Sequence, residues 1–291
     1  MLNPIGGAEL ILNPDGSIYH LHLRAEDVAD TVIVVGDVGR VRNISKHFEK
    51  LDTERQNRDF LTHTGWYKGK RITVLSTGIG ADNIDIVINE LDAVVNIDLL
   101  QRTPKAEKRK LHIIRLGTSG GLQAGIPVDS FVVSGWGLGF DSLIHFYEAG
   151  KKVEDIPMSE AFIRFMKWPA ELSRPYFVKG SELLMQVIGK DLYHGITATA
   201  PGFYGPQGRS LRLTPFDSGF IDKLTEFEYQ GMRIVNFEME TSALYGLSRM
   251  LGHEAISVCV AVANRPKNEF SKDYRAAVDK LIILLLGRLT A

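Results

Sequence analysis

Cysteine is almost absent. Cys259 stands alone in 291 residues, which excludes an internal disulfide and any cysteine-based metal cluster. It falls within the apolar run Ile256–Val262 and reads there as a small buried hydrophobe. HExxH, CxxC and Asp-rich calcium-loop patterns are missing, so the sequence supports no catalytic metal. A surplus of one charge is missing as well. Lys and Arg total 34 against 35 Asp and Glu, a net charge of −1, so no global field draws the chain to nucleic acid or to an anionic membrane. No apolar run approaches the ~20 residues of a membrane-crossing helix. Residues 1–7 lack a basic stretch followed by an apolar one, so no secretory leader is read there and the expected location is the cytoplasm. Repeats, linkers and low-complexity tracts are also wanting.

What the chain does have is a steady alternation of β-branched runs with helical periodicity, the pattern of one α/β domain. Thr31–Val35 reads as a strand ending at Gly36-Asp37, with Arg40 and Arg42 near the start of the next helix. A strand, a glycine turn and a helix N-terminus suit an anion; a plain βα turn with solvated arginines is the alternative. Arg71–Ser76 reads as another strand running into Gly78-Ile79-Gly80. The helix after it carries Ile84, Val87, Ile88, Leu91, Val94 and Val95 at i, i+3, i+4 spacing. Asn83 stands where a dinucleotide fingerprint needs its third glycine, so that reading is weak.

Residues 101–110 contain five Lys/Arg and read as a solvated loop. The run Leu111–Leu116 reads as a buried strand that feeds a tight loop through Gly117, Gly120 and Gly121. Free N–H groups in that turn, the Thr118 and Ser119 hydroxyls and Arg115 together suit an anion. Burying an arginine requires a negative partner: Arg115 either pairs with a structural carboxylate or faces a ligand. Residues 140–190 show aromatics and helical patches without a clear pattern. Ile196–Ala200 reads as a strand entering a Pro/Gly-rich loop with Phe203, Tyr204, Gln207 and Arg209. An amide beside a guanidinium can read the edge of a planar base, with an aromatic as stacking surface; an ordinary surface loop is the alternative. Glu238 and Glu240 fall at a strand-to-helix junction and point in different directions. One is expected to bind ligand hydroxyls while the other holds the junction, with simple helix capping as the plainer reading.

Taken in order, Gly36-Asp37…Arg40, Ser76–Gly80, Arg115–Gly120, the Phe203…Gln207-Gly208-Arg209 loop, Asn236–Glu240 and Asn264-Arg265 resemble the nucleoside phosphorylase family, and most closely its uridine-cleaving members. The resemblance covers about residues 19–290 except much of 140–190. It implies an N-terminal extension over 1–18 and an α/β domain over 19–291, with a mixed twisted sheet flanked by helices. It further implies dimers, or hexamers of dimers, with shared active sites. Phosphate would be held by Gly36, Arg40, Arg115 and Thr118, with Arg58 from the neighbouring subunit. The ribose would meet Met239 and Glu240, with His20 reaching in from the neighbour. The base would meet Gln207 and Arg209 near Phe203 and pack on Phe237 and Val262. Catalysis would fall to Arg115, Gln207, Arg209 and Glu240. The implied reaction is reversible phosphorolysis of uridine to uracil and ribose 1-phosphate, without organic cofactor or metal; a monovalent cation between subunits, near Asp59, is an option the family uses. A nucleoside, phosphate and a second copy of the chain would be the partners, not nucleic acid or a membrane.

Three departures bear on substrate range. Val38 replaces the family's usual proline, Pro206 a common glycine and Phe237 a frequent tyrosine. Purine-acting members and the related nucleosidases place an aspartate after the last core strand, where this chain reads Val262-Ala263-Asn264-Arg265. The alternatives are therefore a purine nucleoside phosphorylase or a nucleosidase on the same fold, and a non-catalytic nucleoside-binding protein.

Overall fold

The apolar run Thr31–Val35 forms strand β1 and is buried along its whole length, as a strand covered on both faces must be. Asp37 then caps helix α1 (Val38–Ser45), its carboxylate accepting from the Arg40 N–H at 2.8 Å. Strands β2 (Lys50–Asn57), β3 (Phe60–Tyr67) and β4 (Lys70–Ser76) form an antiparallel meander, and β4 returns to pair in parallel with β1. Helix α2 (Ala81–Asn96) buries the periodic face read from the sequence, Ile84 through Val95. A small hairpin of β5 (Ile97–Asp98) and β6 (Thr103–Pro104) precedes the central strand β7 (His112–Gly121) and its follower β8 (Phe131–Gly139). Residues 140–190 supply helices α3 (Gly150–Val153) and α4 (Ile156–Met166), strand β9 (Tyr176–Lys179) and helix α5 (Glu182–Ile188). The remainder runs β10 (Tyr193–Thr199), α6 (Phe220–Glu226), β11 (Glu228–Tyr229), β12 (Met232–Glu238), α7 (Thr241–Leu251), β13 (Glu254–Asn264), β14 (Glu269–Phe270) and α8 (Tyr274–Leu289). These elements belong to a computed structural model that describes residues 3–291; Met1 and Leu2 of the 1–18 segment lie outside the described residues.

The main sheet is mixed and has twelve strands. Along β12-β10-β8-β13-β7 it closes on itself, because β12 pairs antiparallel with β7 at Asn236–Gly121 and Phe237–Gly120. The result is a five-stranded barrel with β1, β4, β3 and β2 continuing outward from β7. This corrects the expected tight loop after Leu116. Residues 117–121 are extended strand, paired to β13 from Cys259 through Asn264. Gly117 and Gly121 serve close packing instead, a Cβ at Gly121 standing 3.0 Å from the Ala263 carbonyl oxygen, whereas Gly120 has open space.

The basic run 101–110 is not simply solvated either. Lys105 and Lys108 donate from Nζ to the Val95 and Asn96 carbonyls at 2.9 and 3.3 Å, satisfying the C-terminal end of α2. Arg102 donates to the Ile5 and Gly6 carbonyls at 2.8 and 2.9 Å, tying residues of the 1–18 segment to the hairpin. Leu10 and Ile18 are buried in the main hydrophobic core.

Candidate active site

Arg115 lies buried in β7, and its charge is answered by the junction between β12 and α7. Nη1 is 3.1 Å from Glu238 Oε2, while Nη2 pairs with Glu240 Oε2. Nη1 also reaches Cys259 Sγ at 3.2 Å and Ser257 Oγ at 3.4 Å on β13. Gly117 makes the room, since a Cβ there would stand 2.8 Å from Arg115 Cζ and 3.0 Å from Cys259 Sγ. Of the two carboxylates, Glu238 holds the junction. It accepts from the Thr199 hydroxyl at 2.8 Å and from the N–H groups of Glu240 and Thr241 at 3.0 Å each. Glu240 instead accepts from the Gly80 N–H at 2.8 Å. That bond explains the Gly78-Ile79-Gly80 turn: φ is +74° at Gly78 and +102° at Gly80, angles that glycine adopts at little steric penalty.

Burial works against the charge on Arg115, but Glu240 and Glu238 outweigh it and raise the guanidinium pKa above the ordinary arginine value. One guanidinium facing two carboxylates leaves surplus negative charge. It falls on Glu238, which burial raises above the usual carboxylate range; Arg115 opposes that rise and Glu240 adds to it. Close by, Arg40 bonds Asp37 Oδ2 at 3.1 Å and the Leu116 carbonyl at 3.2 Å. Burial lowers the Arg40 pKa and the Arg115 charge lowers it further, with Asp37 offsetting part of the effect.

These groups line a cavity of about 510 Å³ at the carboxyl ends of β1, β7, β10, β12 and β13, where ligands bind in α/β sheets. Gly36, Arg40, Arg115 and Thr118 line it together with Met239 and Glu240. Phe203, Gln207, Arg209, Phe237 and Val262 share the same wall. There Arg209 Nη1 donates to Gln207 Oε1 at 2.5 Å and to the Phe203 carbonyl at 2.6 Å. The Arg209 guanidinium also sits 3.7 Å above the Phe203 ring, so a cation covers that aromatic face. Phe237 is backed by Phe140, ring centroids 6.4 Å apart, and Phe140 stacks on Trp168 at 5.1 Å. The unreadable segment 140–190 thus braces the cavity wall from behind. His20 and Arg58 do not line this cavity. They lie together elsewhere: Arg58 Nη2 donates to the Tyr19 hydroxyl at 3.3 Å, and the Tyr19 ring meets the His20 ring edge-on at 4.7 Å.

Two lining residues carried no role in the sequence reading. Arg265 donates from Nη2 to the Gln207 carbonyl at 3.2 Å, and after burial its charge is the main cause lowering the Arg209 pKa. Its sequence signal is a cation after a core strand, within the Asn264-Arg265 pair that carries part of the resemblance. Asn264 is fully buried, its amide donating to the Gln123 and Ile126 carbonyls and its Oδ1 accepting from the Lys267 N–H. Gly117–Gly121 also spells G-x-S-x-G, the string of a nucleophile elbow, but it is flat strand and Ser119 Oγ accepts from the Asn236 amide. Among the described residues, no group of three or more His, Cys, Asp or Glu is arranged to hold a metal ion.

Comparison with known proteins agrees with this architecture. The Phosphorylase superfamily model matches residues 30–289. A uridine phosphorylase of Thermococcus kodakarensis is 31% identical over 272 residues, covering 94% of this chain and 86% of that protein. A DeoD-type purine nucleoside phosphorylase of Listeria monocytogenes is 25% identical over 240 residues, covering 82% and 84%. The crystal structure of a Trypanosoma brucei nucleoside phosphorylase, which shows uridine phosphorylase activity, superposes with a TM-score of 0.86 at 31% identity, covering 97% of this chain and 99% of that one. The chain belongs to the Phosphorylase superfamily.

Proposed function

We propose that this protein is a uridine phosphorylase, catalysing uridine plus phosphate to uracil plus ribose 1-phosphate, reversibly. The reading is carried by one observation: a single cavity holds a paired-arginine end, a carboxylate beside Met239, and an amide–guanidinium pair. Its uridine phosphorylase relatives at 31% identity support the same choice. Phosphate would bind at Gly36, Arg40, Arg115 and Thr118. The mutual repulsion and burial that depress Arg40 are relieved by an incoming dianion. Held there, a phosphate oxygen attacks C1′ of the nucleoside as if intramolecularly. The C1′–N1 bond breaks, and its electron pair leaves with the base. Gln207 and Arg209, with Arg265 adjacent, meet the negative charge that develops on uracil. Glu240 and Met239 hold the ribose.

Nucleoside phosphorylases acting on purines protonate the departing base with an acid. Here Asn264 occupies the corresponding stretch, and its side chain is wholly engaged with main-chain groups. That favours a pyrimidine. His20 and Arg58 sit together away from their own cavity, the arrangement that a shared site in a homodimer, alone or within a hexamer, requires. The proposal needs no organic cofactor or metal; Asp59, exposed beside Arg58, is where a monovalent cation between subunits would bind. No helix among the described residues is long and apolar enough to cross a membrane, and a cytoplasmic location is proposed.

The test is uracil release from uridine with and without phosphate, with inosine as a competing substrate. Phosphate-dependent uracil release with inosine untouched is expected. Release without phosphate refutes the arginine assignment, and cleavage of inosine alone refutes the base assignment.

A further inference from the structure

The segment around His20 is anchored in the core by Ile18, Leu21 and Leu23, and polar bonds fix His20 itself. Asn57 donates from Nδ2 to the Tyr19 and His20 carbonyls at 3.1 and 2.9 Å. Glu90, on α2, accepts from the backbone N–H groups of His20 at 3.0 Å and Leu21 at 2.8 Å. Its Oε1 also lies 2.6 Å from His20 Nδ1. Glu90 is ten residues beyond Gly80, whose N–H grips Glu240 in the cavity. At 1.5 Å per residue, α2 therefore carries His20 about 15 Å away from its own Glu240. The imidazole stays a quarter exposed, set edge-on to the Tyr19 and Phe60 rings and outside its own cavity.

We infer that Glu90 is a positioning residue for nucleoside binding, acting through His20 at the neighbouring subunit's cavity; this rests on the shared-site reading proposed above. A carboxylate that accepts from Nδ1–H selects one neutral tautomer, leaving the Nε2 lone pair outward as an acceptor. A ribose hydroxyl then has a fixed acceptor to donate to. Without Glu90 the ring divides its time between tautomers and orientations, and nucleoside affinity falls while the chemistry at C1′ is untouched. This is the logic by which an outer carboxylate orients a ligating histidine.

The experiment compares Glu90→Gln, His20→Ala and the double variant, measuring kcat and the KM values for uridine and phosphate separately. Gln keeps the side chain's shape and an oxygen acceptor for the backbone. The expected result for Glu90→Gln is a uridine KM raised about tenfold, with kcat and the phosphate KM unchanged. The double variant should be no worse than His20→Ala alone, because the carboxylate acts only through the imidazole. A merely structural brace for the loop would instead add its effect to that of His20→Ala, which overturns the inference. A normal uridine KM in Glu90→Gln with an impaired His20→Ala overturns it too and leaves the shared site standing. A normal His20→Ala refutes the shared-site reading itself, and the inference with it.

Discussion

Gly117→Ala tests whether a missing side chain sets the position of Arg115, the arginine proposed to hold phosphate. The backbone at 117 is ordinary strand, so alanine has no conformational objection. The obstacle is spatial. The new Cβ would stand 2.8 Å from Arg115 Cζ, closer still to Nη1, and 3.0 Å from Cys259 Sγ. Carbon contacts settle near 3.5–4.0 Å, so the guanidinium must retreat by about 1 Å. An isolated arginine tip would swing aside freely. This one is held to Glu238, Glu240 and Cys259, and moving it strains or breaks those bonds. Overpacking a tight interior destabilises by about 1–3 kcal/mol, and a 1 Å misplacement of a catalytic group lowers rate by about 10²-fold. Gly117→Ala should therefore fold, melt a few degrees lower, and lose about two orders of magnitude in kcat/KM, with a raised phosphate KM. Steady-state uracil release and thermal unfolding measure both effects. A variant with unchanged melting point and phosphate KM would show that the space over Gly117 does not hold Arg115 in place, and the reasoning would fail.

Arg209→Ala removes the donor to Gln207 Oε1 and the cation over Phe203; loss of one donor to developing charge predicts a fall in kcat of about 10²–10³, read by uracil release. Mixing His20→Ala and Arg209→Ala subunits in equal amounts after dissociation makes about half the dimers mixed, each with one intact site of two, so activity at subsaturating uridine should rise to about a quarter of wild type; no recovery refutes the shared site. Burial raises the folded pKa of Glu238 above its unfolded value of about 4.5. Its contribution to stability is then present when it is protonated and lost as pH rises through the folded pKa. Stability of the wild type should decline above pH 4.5 more steeply than that of Glu238→Gln, which has no proton to lose; parallel pH profiles from denaturant unfolding would contradict this.

The local chemistry of this protein was written in its sequence. Thr31–Val35 is β-branched and continuous, so it is a buried strand wherever it lies. The spacing of Ile84 to Val95 makes one face of a helix, and Asp37 caps α1 through a bond three residues long. Such features depend on neighbours in the chain. Arg115 showed the limit of that reasoning: burial demanded a negative partner, but nothing nearby in the chain named it. Closure of β12 onto β7 and the turn at Gly80 brought Glu238 and Glu240 to it, 125 residues away for Glu240. The same closure turned a glycine run that looks like a loop into strand paired with β13 and β12, crowded at Gly117 and Gly121 though open at Gly120. Segment 140–190 stayed opaque since Phe140 and Trp168 have no periodic partner in sequence; they meet each other and Phe162 and Phe220 in a cluster that backs Phe237 only once the chain is folded. His20 and Arg58 carry the point furthest, for their place beside each other and away from their own cavity arises only when the end of β2, α2 and the Tyr19-His20 segment are packed together. Hydrogen bonds and periodicity along the chain are decided by sequence; which charge answers which, across a closed sheet, is decided by the fold.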